Sequence, residues 1–136
     1  MKSTIIDRRK APSHGYRSIH VVVNVEGRRV EVQVRTLLQH LWAELSERLS
    51  DRFDPAIKYG GGRKDVLNIL NFISLHLGQY EDVDLRLAPL TAKAQLTEEE
   101  SRRVSIATAS LRKSHDKVMK ALAEAIALLR RSDPTR

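Results

Sequence analysis

Residues 30–36 read Val-Glu-Val-Gln-Val-Arg-Thr, with valine at every second position and Glu31, Gln33 and Arg35 in the gaps. Successive side chains of a strand point to opposite faces, so this alternation predicts a half-buried strand. The preceding stretch, Ile19–Val25, is β-branched almost throughout, and Glu26-Gly27 between the two predicts a two-residue hairpin turn. That turn sets the register. It pairs Val25 with Arg28, Val23 with Val30, Val22 with Glu31, Val21 with Val32, His20 with Gln33 and Ile19 with Val34. Ile19, Val21, Val23, Val30, Val32 and Val34 then share one face, the expected core face. The other face brings His20 beside Gln33, with Glu31 and Arg35 within cross-strand reach. A slip of one residue would scatter the set.

After Thr36 the pattern changes to helical. Leu38, Leu41, Trp42, Leu45 and Leu49 recur at helix spacing over 37–51, with Thr36 placed as the cap. Pro55 and Gly60–Gly62 interrupt regular structure. A second helix is expected over 63–87, with Val66, Leu67, Leu70, Ile73, Leu77 and Tyr80 inward. Thr97 and Glu100 form a capping box for a third over 97–130, whose apolar positions include Val104, Leu111, Val118, Leu122, Ile126 and Leu129. Residues 131–136 read as a frayed tail. The expected fold is α+β in a single domain, 1–136: an opening loop, an antiparallel hairpin, then three helices. Two strands alone make a poor sheet, which points to missing upstream neighbours.

The chain has no cysteine, which excludes disulfides and thiolate metal sites and fits a reducing cytoplasm. The N-terminus lacks the apolar core of a signal peptide, and no run approaches the ~20 apolar residues of a membrane span. A soluble cytoplasmic protein is expected. The net charge of +7 suits polyanionic partners, while an aromatic content of 4% argues against a base-stacking single-strand binder. Gly60–Gly62 lacks the Gly-Lys-Ser/Thr ending of a P-loop and reads as a connector. His76 and His115 stand singly on helices, and no histidine pair has zinc-site spacing. Trp42 is most simply a core anchor.

An acid, a histidine and an arginine on one strand face suit phosphate chemistry. The Glu31 carboxylate can hold Mg²⁺ or accept a hydroxyl proton, and His20 and Arg35 can meet phosphate oxygens. Just upstream, Gly15-Tyr16 offers an aromatic ring for base stacking. Spacing alone allows a blander alternative, a solvent-exposed hairpin carrying a surface salt bridge.

The stretches Gly-Tyr-Arg-Ser-Ile-His-Val-Val-Val (15–23) and Val-Glu-Val-Gln-Val-Arg-Thr-Leu-Leu-Gln-His-Leu-Trp-Ala-Glu-Leu (30–45) resemble the synthetase domain of the RelA/SpoT family. These (p)ppGpp synthetases move pyrophosphate from ATP to the ribose 3′-hydroxyl of GDP or GTP. The resemblance implies a nucleotidyltransferase-like mixed sheet, of which the hairpin is a part, and Mg²⁺ as cofactor. It places Tyr16 on the acceptor guanine and His20 near the acceptor phosphates. Glu31 takes the place of the catalytic glutamate, as metal ligand or hydroxyl-activating base. Gln33 and Arg35 are the amide and arginine that orient groups at the site. His40 and Ala43 fall at the edge of the guanine pocket. Pro12 stands where the family often has lysine, and Lys10 or Arg17 is the substitute for phosphate binding. The family's upstream half, with its basic ATP-binding residues and an Mg²⁺-binding aspartate, has no counterpart here, since Asp7 sits too near the acceptor loop.

The resemblance thus implies GDP or GTP as acceptor, with ATP as donor only where a donor half is supplied. Self-association through unpaired sheet surface is expected, and nucleic acid and membranes are not expected partners. Two alternatives stay open: a non-catalytic guanosine-nucleotide or split-enzyme module, and a basic helical remnant that binds RNA or protein.

Overall fold

The computed structural model describes residues 3–131. Its elements are β1 (Ser3–Asp7), β2 (Ile19–Val25), β3 (Arg28–Val34), α1 (Leu37–Phe53), a 3-10 turn (Pro55–Tyr59), α2 (Lys64–Thr91) and α3 (Glu98–Arg131). The fold is α+β, an antiparallel sheet of order β1-β2-β3 followed by helices. The tail expected at 131–136 lies, beyond Arg131, outside the described residues. Among the described residues no helix is long and apolar enough to cross a membrane.

The β2–β3 register matches the pairing derived above at every position from Ile19–Val34 to Val25–Arg28. Glu26 and Gly27 both have positive φ, as a type I′ hairpin turn requires. The opening segment differs from the expected loop. Ser3–Asp7 is a third strand, paired antiparallel to β2 from Ser3–Val23 to Asp7–Ile19. Five residues without alternation carry little signal of their own, and this strand is fixed by its partner. With three strands, the sheet no longer looks too small by strand count.

The expected core face is not a core. Val30, Val32 and Val34 are 42%, 48% and 51% exposed, and Ile5, on the same face beside Val21, is 67% exposed. Alternation determined which residues share the face, and no element among the described residues buries it.

The chain divides into two compact units, Met1–Ser74 and Leu75–Arg136, with the boundary inside α2. In the first, Trp42, Leu49, Ile57, Val66, Leu70 and Ile73 are buried. The Trp42 indole Nε1–H donates to the Leu70 carbonyl at 2.9 Å, which satisfies its polar atom inside the core. Thr36 caps α1 reciprocally with Gln39, through the Gln39 N–H to Thr36 Oγ1 and the Thr36 N–H to Gln39 Oε1, both 3.2 Å. Leu41, assigned to the apolar stripe, is half exposed.

In the second unit, α2 continues through Pro89 to Thr91, past its expected end at 87. Proline removes one backbone donor there, but the helix stops within two residues. The Thr97–Glu100 capping box forms, with both reciprocal bonds present (3.0 and 3.2 Å). Leu77, Ala121 and Ala125 are buried, while Ile126 is exposed.

Candidate functional site

The polar face of the sheet carries a connected network. His20 Nδ1 and Glu31 Oε1 are in hydrogen-bond contact. Gln33 Nε2 approaches the same Glu31 oxygen at 3.4 Å. The Tyr16 hydroxyl donates to Gln33 Oε1 at 3.1 Å, and Arg35 Nη2 donates to both the Tyr16 hydroxyl, at 2.7 Å, and Gln33 Oε1. The Arg35 guanidinium lies over the Tyr16 ring, 5.0 Å from its centroid, and His20 meets that ring edge-on at 5.7 Å. Five of the residues singled out from the sequence (Tyr16, His20, Glu31, Gln33 and Arg35) are therefore one cluster.

The hydrogen bond from His20, then that from Gln33, holds the Glu31 carboxyl below the usual carboxylate range. A carboxylate so stabilised stays anionic at neutral pH. It is a weaker proton acceptor and a better fixed ligand or hydrogen-bond acceptor. On the far side of this pair, His20 Nε2 is buried without a hydrogen-bond partner, as are Arg35 Nε, Arg17 Nε and Ser18 Oγ. Such orphaned polar atoms are expensive in a finished core and call for a partner such as a polar ligand.

Tyr16 follows a tight turn. Ser13 and Tyr16 exchange backbone bonds (2.9 and 3.3 Å) around His14 and Gly15, whose φ values are 51° and 87°. Gly15 lies flat on the core: a Cβ there would sit 2.8 Å from Trp42 Cζ2 and 3.2 Å from Ser74 Cβ. Only glycine allows this approach. Ser74 Oγ donates to the Gly15 carbonyl at 2.5 Å.

Arg17 is turned to the loop, where its Nη1 donates to the Arg9 carbonyl at 2.6 Å. His40 lines an open cleft of about 450 Å³ with Gln33, Arg35, Thr36 and Leu37, next to the cluster. Ala43 is buried on α1 and is not part of that lining. Among the described residues no group of three or more His, Cys, Asp or Glu could hold a metal. Glu31 offers one carboxylate. That is compatible with a share in binding Mg²⁺, which keeps waters and takes substrate phosphates beside one or two carboxylates.

The supports under Tyr16, namely the Trp42 ring, Ser74 and the packing around His14, are absent from the residues read as functional. Trp42 and Ser74 lie far along the chain from Gly15. The only local sign is the His14-Gly15 dipeptide, a variant of the Asn-Gly signal for a type I′ turn.

The strand, the turn and the start of α1 coincide with a family match: residues 2–50 fit the model described as a region found in RelA / SpoT proteins. The match marks residues 2–50, less than half of the chain, as a RelA/SpoT region. Over 55 residues the chain is also 46% identical to the Uncharacterized protein Mb1401 of Mycobacterium bovis and to the Uncharacterized proteins MT1412 and Rv1366 of Mycobacterium tuberculosis. The matches cover 40% of this chain and 20% of each relative, so the chain spans about a fifth of the length of these proteins. No solved structure matches the chain.

Proposed function

We propose that this chain is the acceptor side of a (p)ppGpp synthetase, binding GDP or GTP on the polar face of its sheet. The observation that carries the reading is the Arg35–Tyr16–Gln33–Glu31–His20 network within a RelA/SpoT region. Tyr16 has one ring face under Arg35, and the ring is the aromatic surface on which a guanine would stack. The Arg35 and Gln33 bonds to its hydroxyl fix the ring before the base arrives, lowering the entropic cost of stacking. His20 Nε2 and Arg35 Nε have no hydrogen-bond partner and are the polar atoms left over for a ligand's hydroxyl or phosphate oxygens.

Glu31 orients the ribose 3′-hydroxyl and accepts its proton as that oxygen attacks the ATP β-phosphorus, whose bond to the α–β bridging oxygen breaks to release AMP. Its depressed pKa favours orientation and charge over strong basicity. When Mg²⁺ is bound, with Glu31 as one ligand, it supplies neutralisation of phosphate charge. Transfers of this kind depend mostly on positioning and electrostatics. The ATP-binding groups come from sequence other than these 136 residues, and the working enzyme combines both halves in the cytoplasm.

Synthesis assays test this division. With ATP, GDP and Mg²⁺, the purified chain should form no detectable ppGpp. Adding the upstream donor segment of a RelA/SpoT synthetase should restore product, and Glu31→Gln should abolish it again. Robust synthesis by the chain alone would overturn the division of labour.

A further inference from the structure

The Gly60–Gly62 stretch follows the 3-10 turn and takes no part in the polar network. Its first glycine nevertheless touches the recognition loop. A Cβ on Gly60 would overlap His14 Nδ1 and lie 2.8 Å from His14 Cε1, so the imidazole of this otherwise exposed residue rests directly on the Gly60 backbone. His14 itself holds φ 51°, a left-handed conformation that non-glycine residues adopt at a cost. The Ser13–Tyr16 backbone bonds close the turn, and contacts outside it add to their hold. One such contact is His14 on Gly60, and another is the Gly15 backbone pressed on Trp42.

We propose that Gly60 and His14 are positioning residues for nucleotide recognition. The glycine forms a cradle for the imidazole, which locks the His14-Gly15 turn and thereby sets the Tyr16 ring. The functional consequence rests on the reading of Tyr16 as the guanine platform, but the mechanical coupling does not. Gly27 provides an internal control: its φ, 78°, equals that of Gly60, yet nothing lies within 4 Å of its missing Cβ. Alanine at either site meets the same backbone strain, and only at Gly60 does it also meet a side chain.

The test is amide hydrogen exchange at Tyr16, whose N–H is bonded to Ser13 O at 2.9 Å, together with GDP titration of the full chain. Gly60→Ala should speed Tyr16 exchange and weaken GDP binding, each by about tenfold or more. His14→Asn keeps a residue tolerant of left-handed backbone but removes the ring, and should speed exchange by a few-fold. The double variant should return to the His14→Asn level, because the overlap is gone. Gly27→Ala should leave Tyr16 exchange unchanged. Equal exchange in the parent and Gly60→Ala, or no relief in the double variant, would overturn the proposal. If Gly60→Ala does not fold, unchanged Tyr16 exchange in His14→Asn does so. The expected exchange pattern without any GDP binding by the parent would establish the cradle and refute the acceptor reading instead.

Discussion

The two faces of one small sheet differ in how complete they are. On the polar face, Tyr16, His20, Glu31, Gln33 and Arg35 are tied to one another before any ligand arrives. On the opposite face, Ile5, Val30, Val32 and Val34 stay largely exposed. Both faces come from the same alternation and the same register, so local pattern cannot explain the contrast. Its origin lies in support. The polar face is backed through the Tyr16 turn by Trp42 and Ser74, whereas no described element covers the apolar face. A polar face can be preorganised while the apolar face of the same sheet lacks a cover.

The largest effect should come from removing the support. Trp42→Ala deletes a buried ring and its hydrogen bond to Leu70 and should cost ~3–5 kcal/mol in urea denaturation. Val32→Ala, on the open face, should cost about 1 kcal/mol or less. Similar costs at the two sites would erase the contrast. Next in size, Tyr16→Ala should weaken GDP binding by ~1–3 kcal/mol, the worth of a base–aromatic stack, with little change in melting temperature. Glu31→Gln should alter GDP affinity far less than it alters turnover in a reconstituted enzyme.

The apolar face should show itself in assembly. Light scattering is expected to reveal self-association that rises with concentration and falls in Val32→Lys, with GDP affinity unchanged. A clean monomer over a wide concentration range would mean that the exposed valines have no such role.

How much of this was legible in the sequence follows from the range of each interaction. The hairpin register could be read because alternation and a two-residue turn are local and mutually consistent. The capping boxes at Thr36 and Thr97 are local for the same reason. β1 was not legible, since Ser3–Asp7 gains its identity from pairing with Ile19–Val23. The pattern points to burial of Val30, Val32 and Val34, which are exposed, because periodicity says which residues share a face and not whether anything covers it. At the site, the order of residues on β3 foretold the cluster. The roles of Gly15 on Trp42 and Gly60 under His14 depend on contacts between distant segments, and no periodicity encodes those.

The smallest effect concerns Asp7 at the end of β1. Hydrogen bonds from the Arg9 side chain and its backbone N–H lower the Asp7 carboxyl from 3.8 to about 2. Because the folded value is the depressed one, the stabilisation is present above about pH 4 and is lost as pH falls toward 2. An NMR titration should place the Asp7 midpoint near 2, and a midpoint near 4 would show that the Arg9 contact does not persist in solution.

The central claim, that the polar face is a preformed guanosine-nucleotide acceptor site, is tested most directly by calorimetric titration of GDP and ADP into the isolated chain. GDP should bind in the high micromolar range, since half a pocket buries little of the ligand, with ADP weaker and GDP binding sharply reduced in Tyr16→Ala. Equal affinity for GDP and ADP, or GDP binding indifferent to Tyr16, would contradict it.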